Sequence, residues 1–313
     1  MRKSRIRKRV LVTGGAGYVG SHAWAVKWGP FERGDLLNSA RLAVVIKKHR
    51  PFAVLHFAAL AYVGESVEDP LRYYRNNVGG TMNLLEAMRD QGVDKLVFSS
   101  TCSIYGIPER VPIPENHPQR PVNPYGHSKR MVEQLLSDSV AAHGLRSVSL
   151  RYFNAAGADP DGDIGEAHDP ETHLIPLALG YLARKSGATA FNLGNGNGFT
   201  VREVIAAAER VTGRKVPSRA GPRRPGDPPA LVGNAASARR KLGWKPRHQK
   251  LDVIIDTAWR WLQSGKGNEK ENVITLSKRD AEVFFRVLAN PPAPSAALKR
   301  AAARFAEKFD AAS

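Results

Sequence analysis

Thr13-Gly14-Gly15-Ala16-Gly17-Tyr18-Val19-Gly20 decides how the rest of the chain is read. The apolar run Val10-Leu11-Val12 precedes it and Ser21-His22-Ala23-Trp24 follows. A β-branched run, a glycine turn and a helix-compatible stretch make up the first strand–turn–helix unit of a dinucleotide-binding fold. Glycines let the backbone turn tightly and approach a pyrophosphate, whose charge rests on free N–H groups at the helix start. Two overlapping sets fit: Gly15, Gly17 and Gly20, or Gly14, Gly17 and Gly20. Spacing alone does not choose between them, and a glycine turn by itself also suits a strand-to-helix junction without ligand.

At 313 residues and 42% hydrophobic content, the chain can build a sizeable core and about two domains. The single cysteine, Cys102, excludes an internal disulfide framework and suits a reducing cytoplasm. No apolar run approaches the ~20 residues that span a bilayer, so no membrane partner is expected. The basic start, Arg2 to Arg9, resembles the charged region of a signal peptide. The glycine turn breaks the following apolar stretch at once, which argues against export. A net charge of +18 is spread over the amino-terminal arm, Lys47-Lys48-His49-Arg50, Arg223-Arg224 and Arg239-Arg240-Lys241. No basic–aromatic module accompanies it, so nucleic acid is not expected. Solvated faces and attraction for small molecules carrying two phosphates account for the charge.

Downstream, Ser39 to His49 reads as a helix stopped by Pro51, and Phe52 to Ala58 as a strand buried on both faces. Tyr73 to Arg89 reads as one long helix, and Lys95 to Phe98 as a strand ending in Ser99-Ser100-Thr101. A helix from Asn123-Pro124-Tyr125 to Ser137 and a strand from Ser147 to Tyr152 follow. The alternation predicts a doubly covered parallel sheet, an α/β fold of Rossmann type, over residues 1–153. Residues 154–264 read as a smaller lobe. It holds a helix near Leu174 to Ala183, a strand Ala190 to Leu193, a helix Thr200 to Thr212, a loop from Pro217 to Pro229, and helices Ala235 to Leu242 and Leu251 to Leu262. Gly265-Lys266-Gly267-Asn268 reads as a linker to a tail of two helices parted by Asn290 to Pro294.

Tyr125 and Lys129, four apart at a helix start, project from one face. A phenol ionises near pH 10, and a neighbouring ammonium favours phenolate by roughly 1–3 units. Lys129 is therefore expected to depress the Tyr125 pKa and make it a usable acid–base group. Thr101, at the carboxyl end of a parallel strand, stands where such sheets place catalytic groups, and its hydroxyl can bond the same substrate oxygen.

The glycine turn, together with His56-Phe57-Ala58-Ala59, Val63-Gly64-Glu65-Ser66, Asn76-Asn77-Val78, Ser99-Ser100-Thr101, Tyr125 to Lys129 and Arg151-Tyr152-Phe153-Asn154, resembles the UDP-glucose 4-epimerases. These are extended short-chain dehydrogenase/reductases, and the resemblance covers roughly residues 9–263. It implies NAD held by Gly14, Gly17, Tyr18, Val19 and Gly20, and by Asp35 and Leu36 beside adenine. Phe57, Ala58, Asn77, Ser99, Tyr125, Lys129 and Phe153 complete that implied set. Tyr125 would take the proton of the sugar 4-hydroxyl while C4 gives hydride to NAD, with Thr101 beside it. Thr101, Asn154, Leu174, Arg224 and Asp227 would hold the UDP-sugar, and the pairing of two long helices implies a homodimer. Related dehydratases carry an acidic pair after the threonine, whereas Cys102 and Ser103 stand here. No metal site is expected.

Three departures stand out. Pro30 comes too soon after the glycine turn for a full crossover helix and strand, a shortfall of about 25 residues. The second strand with its ribose-binding acid is thus read as missing, with Phe31 to Leu36 taking the place beside the first strand; Asp35 or Glu32 is only superficially that acid. Between Leu179 and Ala190, an Asp-Gly-Thr … Arg-Asp-Tyr stretch of the family has no counterpart. Both shortfalls fall on ligand-binding segments, so the expectation is either an impaired epimerase or a binding protein derived from one. Residues 271–309 resemble the toxin-neutralising segment of ribbon-helix-helix antitoxins, implying an acetyltransferase toxin as partner; they also read as an amphipathic extension of the enzyme itself.

Overall fold

Strands buried on both faces carry apolar side chains in both alternations, and three such segments form the middle of a five-stranded parallel sheet. The computed structural model describes residues 9–15, 19, 30–153, 155–156, 178, 181–219, 221, 228–246 and 248–263. Strands β1 (Val10–Thr13), β2 (Ala53–His56), β3 (Lys95–Thr101), β4 (Arg146–Tyr152) and β5 (Ala188–Leu193) form one sheet in chain order. Between and after them run α1 (Ser39–His49), α2 (Val63–Glu68), α3 (Pro70–Tyr73), α4 (Gly80–Asp90), α5 (Pro124–His143), α6 (Val201–Thr212), α7 (Ala236–Leu242) and α8 (Leu251–Gln263). Val54, Leu96 and Phe98 face α1, α4 and α5 through Leu42, Ile46, Leu84, Val132 and Leu136. Leu55, Val97, Val148 and Leu150 face the other way, onto Leu182, Phe191, Ala238 and Leu242. The expected α/β fold with helices on both faces is what the chain adopts.

Among the described residues β1 pairs only with β2, and it is half-buried along its length where β2 is fully buried. Phe31 to Leu36 does not take the place beside it. The segment is irregular, with Phe31 exposed, because its side chains are fastened elsewhere. Glu32 accepts from Arg41 (2.7 Å) and Lys48 (2.7 Å) and pairs with His49 (2.6 Å), all on α1. Bonds from Lys48 and His49 hold its carboxyl down to about 2. Leu36 packs on Gly80 of α4, and Asn83 donates to the Leu36 carbonyl (2.9 Å). Glu32 is thus an anchor to α1 and is not free to read a ribose.

The stretch Tyr73 to Arg89 is not one α-helix: a π-helical turn, Tyr74–Gly79, lies between α3 and α4 and carries buried Asn77. Extra residues in a helix commonly mark functional positions. Helix α5 starts where the Asn123 carboxamide accepts the Gly126 N–H (2.8 Å), with Pro124 in the first turn. It runs to His143, beyond the expected end at Ser137, and stops at Gly144 in the left-handed region. Three short elements were not legible in the sequence pattern: α2, α3 and a 3-10 turn at Cys102–Tyr105. The two-helix tail lies outside the described residues.

His56, at the end of β2, is 1% exposed and ties β1 to α4. Thr81 Oγ1 donates to the Asn77 carbonyl (2.6 Å), so it accepts from His56 Nε2–H (2.9 Å). Nδ1 then accepts from Thr13 Oγ1 (2.7 Å). Burial, with Lys129 nearby, depresses the imidazole pKa to about 3. A folded pKa below the unfolded ~6.5 gives stability that is full above that value and lost as pH falls toward 3. His56→Gln should cost about 1 kcal/mol at pH 7, and urea unfolding should show the gap from wild type closing at pH 4. A gap that stays constant with pH would contradict the buried neutral imidazole.

Candidate active site

The carboxyl ends of β1, β2 and β3 open where parallel sheets bind ligands. Gly14 turns the chain there with φ +69°, and a Cβ on it would lie 2.5 Å from the Ala58 nitrogen and 2.9 Å from the Phe57 carbonyl carbon. The residue must be glycine on both counts, which settles Gly14 as the structural member of its set. Phe57 donates its N–H to the Thr13 carbonyl (3.1 Å), fixing the β2 exit beside the turn. Val19 is helical and half-buried.

Asn77 holds that exit from the far side. Its carboxamide accepts from Leu60 N–H (2.9 Å) and donates to the Leu60 carbonyl (3.0 Å) and Ser128 Oγ (3.1 Å). Ser128 lies on α5 between Tyr125 and Lys129, so one buried side chain couples the loop after β2 to the helix bearing both.

Lys129 is 3% exposed, with its ammonium 4.7 Å from the Phe98 ring centroid and bonded to the Ser99 carbonyl (2.8 Å). That is its single hydrogen bond among the described residues, leaving two N–H donors for a ligand's hydroxyls. Burial pushes its pKa down to about 7, opposed by the Glu133 charge. Tyr125 is half-buried, 5.9 Å from the ammonium by its ring centroid. Its pKa is raised, with burial as the largest cause, while a hydrogen bond with Thr101 works the other way. The expectation that Lys129 depresses it is therefore corrected: the ammonium turns toward Ser99, and desolvation of the phenol sets the direction. Thr101, 7% exposed, also accepts from Ser103 N–H and donates to Ser103 Oγ (both 3.2 Å).

The structure brings Gly14, Phe57, Ala58, Asn77, Ser99, Thr101, Tyr125 and Lys129 to this edge. Phe153 leaves β4 at the same edge and lies against Gly233, whose Cβ would come within 2.7 Å of its ring. Asp35 accepts from Leu37 N–H (2.9 Å) in an exposed turn, and Leu36 is buried against α4. Gly17, Tyr18, Gly20, Asn154, Leu174, Arg224 and Asp227 lie outside the described residues. Sequence reasoning missed Glu133, whose signal was its position four residues beyond Lys129 on the same helix.

A glycine turn after the first strand of a parallel sheet, with a Tyr–Lys pair and a strand-end threonine at the same edge, is the arrangement of a dinucleotide-dependent enzyme. Residues 23–212 match the family described as NAD dependent epimerase/dehydratase, and residues 268–307 match antitoxin TacA 1-like proteins. A UDP-glucose 4-epimerase of Rhizobium leguminosarum bv. trifolii is 43% identical over 316 residues, spanning 80% of this chain and 96% of that one. The UDP-glucose 4-epimerase of Brucella ovis in complex with NAD has a TM-score of 0.74 at 43% identity, covering 81% and 98%. That of Bifidobacterium longum in complex with NAD+ and UDP has a TM-score of 0.74 at 31% identity, covering 83% and 99%. The chain belongs to the NAD dependent epimerase/dehydratase family and is an epimerase. Eighty per cent of 313 residues is about 250, so roughly 65 positions of the 316-residue alignment have no residue here, in line with the two shortfalls.

A buried lysine with a pKa near 7 in the folded chain and ~10.4 unfolded is a burden at low pH. Below pH 7 the folded chain must bury the charge; between 7 and 10.4 the unfolded state binds more protons, so stability rises with pH. Lys129→Met should therefore melt higher than wild type at pH 6, by about 2–4 °C for each kcal/mol. That advantage should shrink at pH 9; an equal difference at both would contradict the depressed pKa.

Proposed function

We propose that this chain interconverts UDP-glucose and UDP-galactose through a 4-keto sugar, with NAD as cofactor. The observation that carries this reading is Tyr125 on one helix with buried Lys129, at the sheet edge where β3 ends in Thr101, in a chain 43% identical to a named UDP-glucose 4-epimerase. The residues present fit the nicotinamide half of the cofactor: a buried ammonium has donors to spare for ribose hydroxyls, and Gly14 keeps the turn free of a side chain. NAD supplies a reversible hydride acceptor. Lys129 and Asn77 would border the nicotinamide ribose, and Phe57 and Ala58 the turn beside it.

Tyr125 would take the proton of the sugar 4-hydroxyl onto its phenolic oxygen and return it after the ketone presents its other face. Thr101 would donate to the same oxygens, stabilising negative charge on phenolate and sugar in turn. Lys129, when cationic, lowers the cost of that phenolate electrostatically. Asn154, Leu174, Arg224 and Asp227 remain the proposed UDP contacts.

Both shortfalls thin the binding surfaces and leave the proton-transfer set whole, so activity impaired in affinity is the expected form. A non-catalytic, epimerase-derived binding protein is the second reading, favoured by the antitoxin-like match over residues 268–307. Such a tail would engage a partner resembling an acetyltransferase toxin. A homodimer through α4 and α5 is supported by exposed Met82 and Met131 and by the apolar groove that Leu85, Leu135 and Leu145 line between these helices. A cytoplasmic location suits the single cysteine, and among the described residues no helix is long and apolar enough to cross a membrane.

UDP-galactose should form from UDP-glucose with wild type, and its rate of formation should fall by roughly 10³-fold or more in Tyr125→Phe, with the melting temperature kept. Equal turnover in that variant would end the mechanism. Removing residues 268–313 should leave both the melting temperature and the dimeric mass in light scattering unchanged. A large loss of either would make the tail part of the enzyme's own body.

A further inference from the structure

Three neighbouring strands place polar residues in one register row beneath α5, where a buried sheet face would ordinarily be apolar. Ser100 of β3 stands beside Arg151 of β4, and Arg151 beside Asn192 of β5. They are 3%, 4% and 0% exposed. The row lies one residue short of Thr101 at the sheet's carboxyl end.

Every member is satisfied. Glu133, reaching down from α5, accepts from Ser100 Oγ (2.6 Å) and from Arg151 through both Nε (3.0 Å) and Nη2 (2.5 Å). Arg151 Nη1 donates to Tyr105 Oη (2.7 Å) and to the Glu115 carbonyl (3.0 Å). Tyr105 donates to Asn192 Oδ1 (2.7 Å), and Asn192 donates to the Ile113 carbonyl (2.8 Å). The guanidinium pKa is raised; its burial opposes this, and the bond and charge of Glu133 prevail.

We propose that Glu133 and Arg151 are positioning residues of the epimerase reaction, holding α5 at the height and phase that set Tyr125 and Lys129 against Thr101. The inference rests on the acid–base reading of Tyr125 and Lys129. Apolar packing does not account for the row, since a buried ion pair is commonly no more stabilising than a hydrophobic replacement. What the row adds is direction. A bidentate fork fixes the helix relative to β4, while Tyr105 fixes the turn that follows Thr101 against the same guanidinium. One side chain thereby sets both halves of the Thr101–Tyr125 pair.

Glu133 also carries the negative charge that favours the Lys129 cation, one helical turn away. The other groups facing Lys129 are neutral His56 from β2, the Phe98 ring and Ser99 carbonyl of β3, and Tyr125 of its own helix. None of them offers a negative charge. Removing that of Glu133 must therefore move the lysine's titration as well as its position.

The test uses the full chain with Glu133→Gln and Glu133→Asp, reading melting temperature, turnover of UDP-glucose and the pH midpoint of Lys129 acetylation by acetic anhydride. Glu133→Gln should lower that midpoint by about one unit and cut kcat by about tenfold or more at unchanged KM. Glu133→Asp should bring the midpoint back and recover part of kcat. A folded Glu133→Gln protein with the wild-type midpoint and kcat would overturn the proposal. Should that variant not fold, Glu133→Asp decides: a reduced kcat at unchanged KM supports the proposal and wild-type kcat overturns it. Should wild type itself not turn over, the epimerase reading fails on its own, and the acetylation midpoint, shifted or unshifted, still decides the role of Glu133.

Discussion

A lysine ammonium almost removed from water, beneath the open edge of a parallel sheet, is the constraint around which this molecule is arranged. Desolvation disfavours the charged form of Lys129 and pulls its pKa down to about 7, with the Glu133 charge opposing it. The fold answers with the Ser99 carbonyl below it, the Phe98 ring against it and a carboxylate one turn along the helix. His56 stays neutral on the neighbouring strand because burial disfavours its charged form, with the Lys129 charge adding to that. Stability and chemistry are opposed at this position, which is the usual condition of a catalytic group.

The same economy runs through the site's supports. Asn77 in its π-helical turn joins the loop after β2 to α5, and His56 joins β1 to α4, so buried side chains hold the exit of β2. Buried polar groups of this kind are favourable only when every donor and acceptor is matched. At the opposite end of the sheet Arg146 pairs with Asp94, and Ser147 is buried with its hydroxyl unmatched among the described residues.

Much of this was legible in the residues. The apolar runs at Phe52 to Ala58 and Lys95 to Phe98 could only be buried strands, and Asn123-Pro124 announced the helix that bears Tyr125 and Lys129. Spacing alone put the acid–base pair on one face. The sign of the Tyr125 shift was not legible, because desolvation depends on what covers a side chain, and no local pattern encodes that. Phe31 to Leu36 was misplaced for a similar reason. Its composition tolerates a strand, but Glu32 found Arg41, Lys48 and His49 on α1 and Leu36 found Gly80 on α4, partners set by tertiary packing. Arg151 was visible as part of a motif, yet nothing in the sequence announced its pairing with Glu133.

On the proposed reading the proton-transfer half of the site is intact, while the surfaces gripping the two ends of cofactor and substrate are reduced. Turnover of UDP-glucose by the purified full-length chain, measured against added NAD, probes both halves at once. Turnover that is low without added NAD and rises to saturation with it is the expected result. A folded protein with no turnover at saturating NAD and UDP-glucose would mean that the proton-transfer half is not intact.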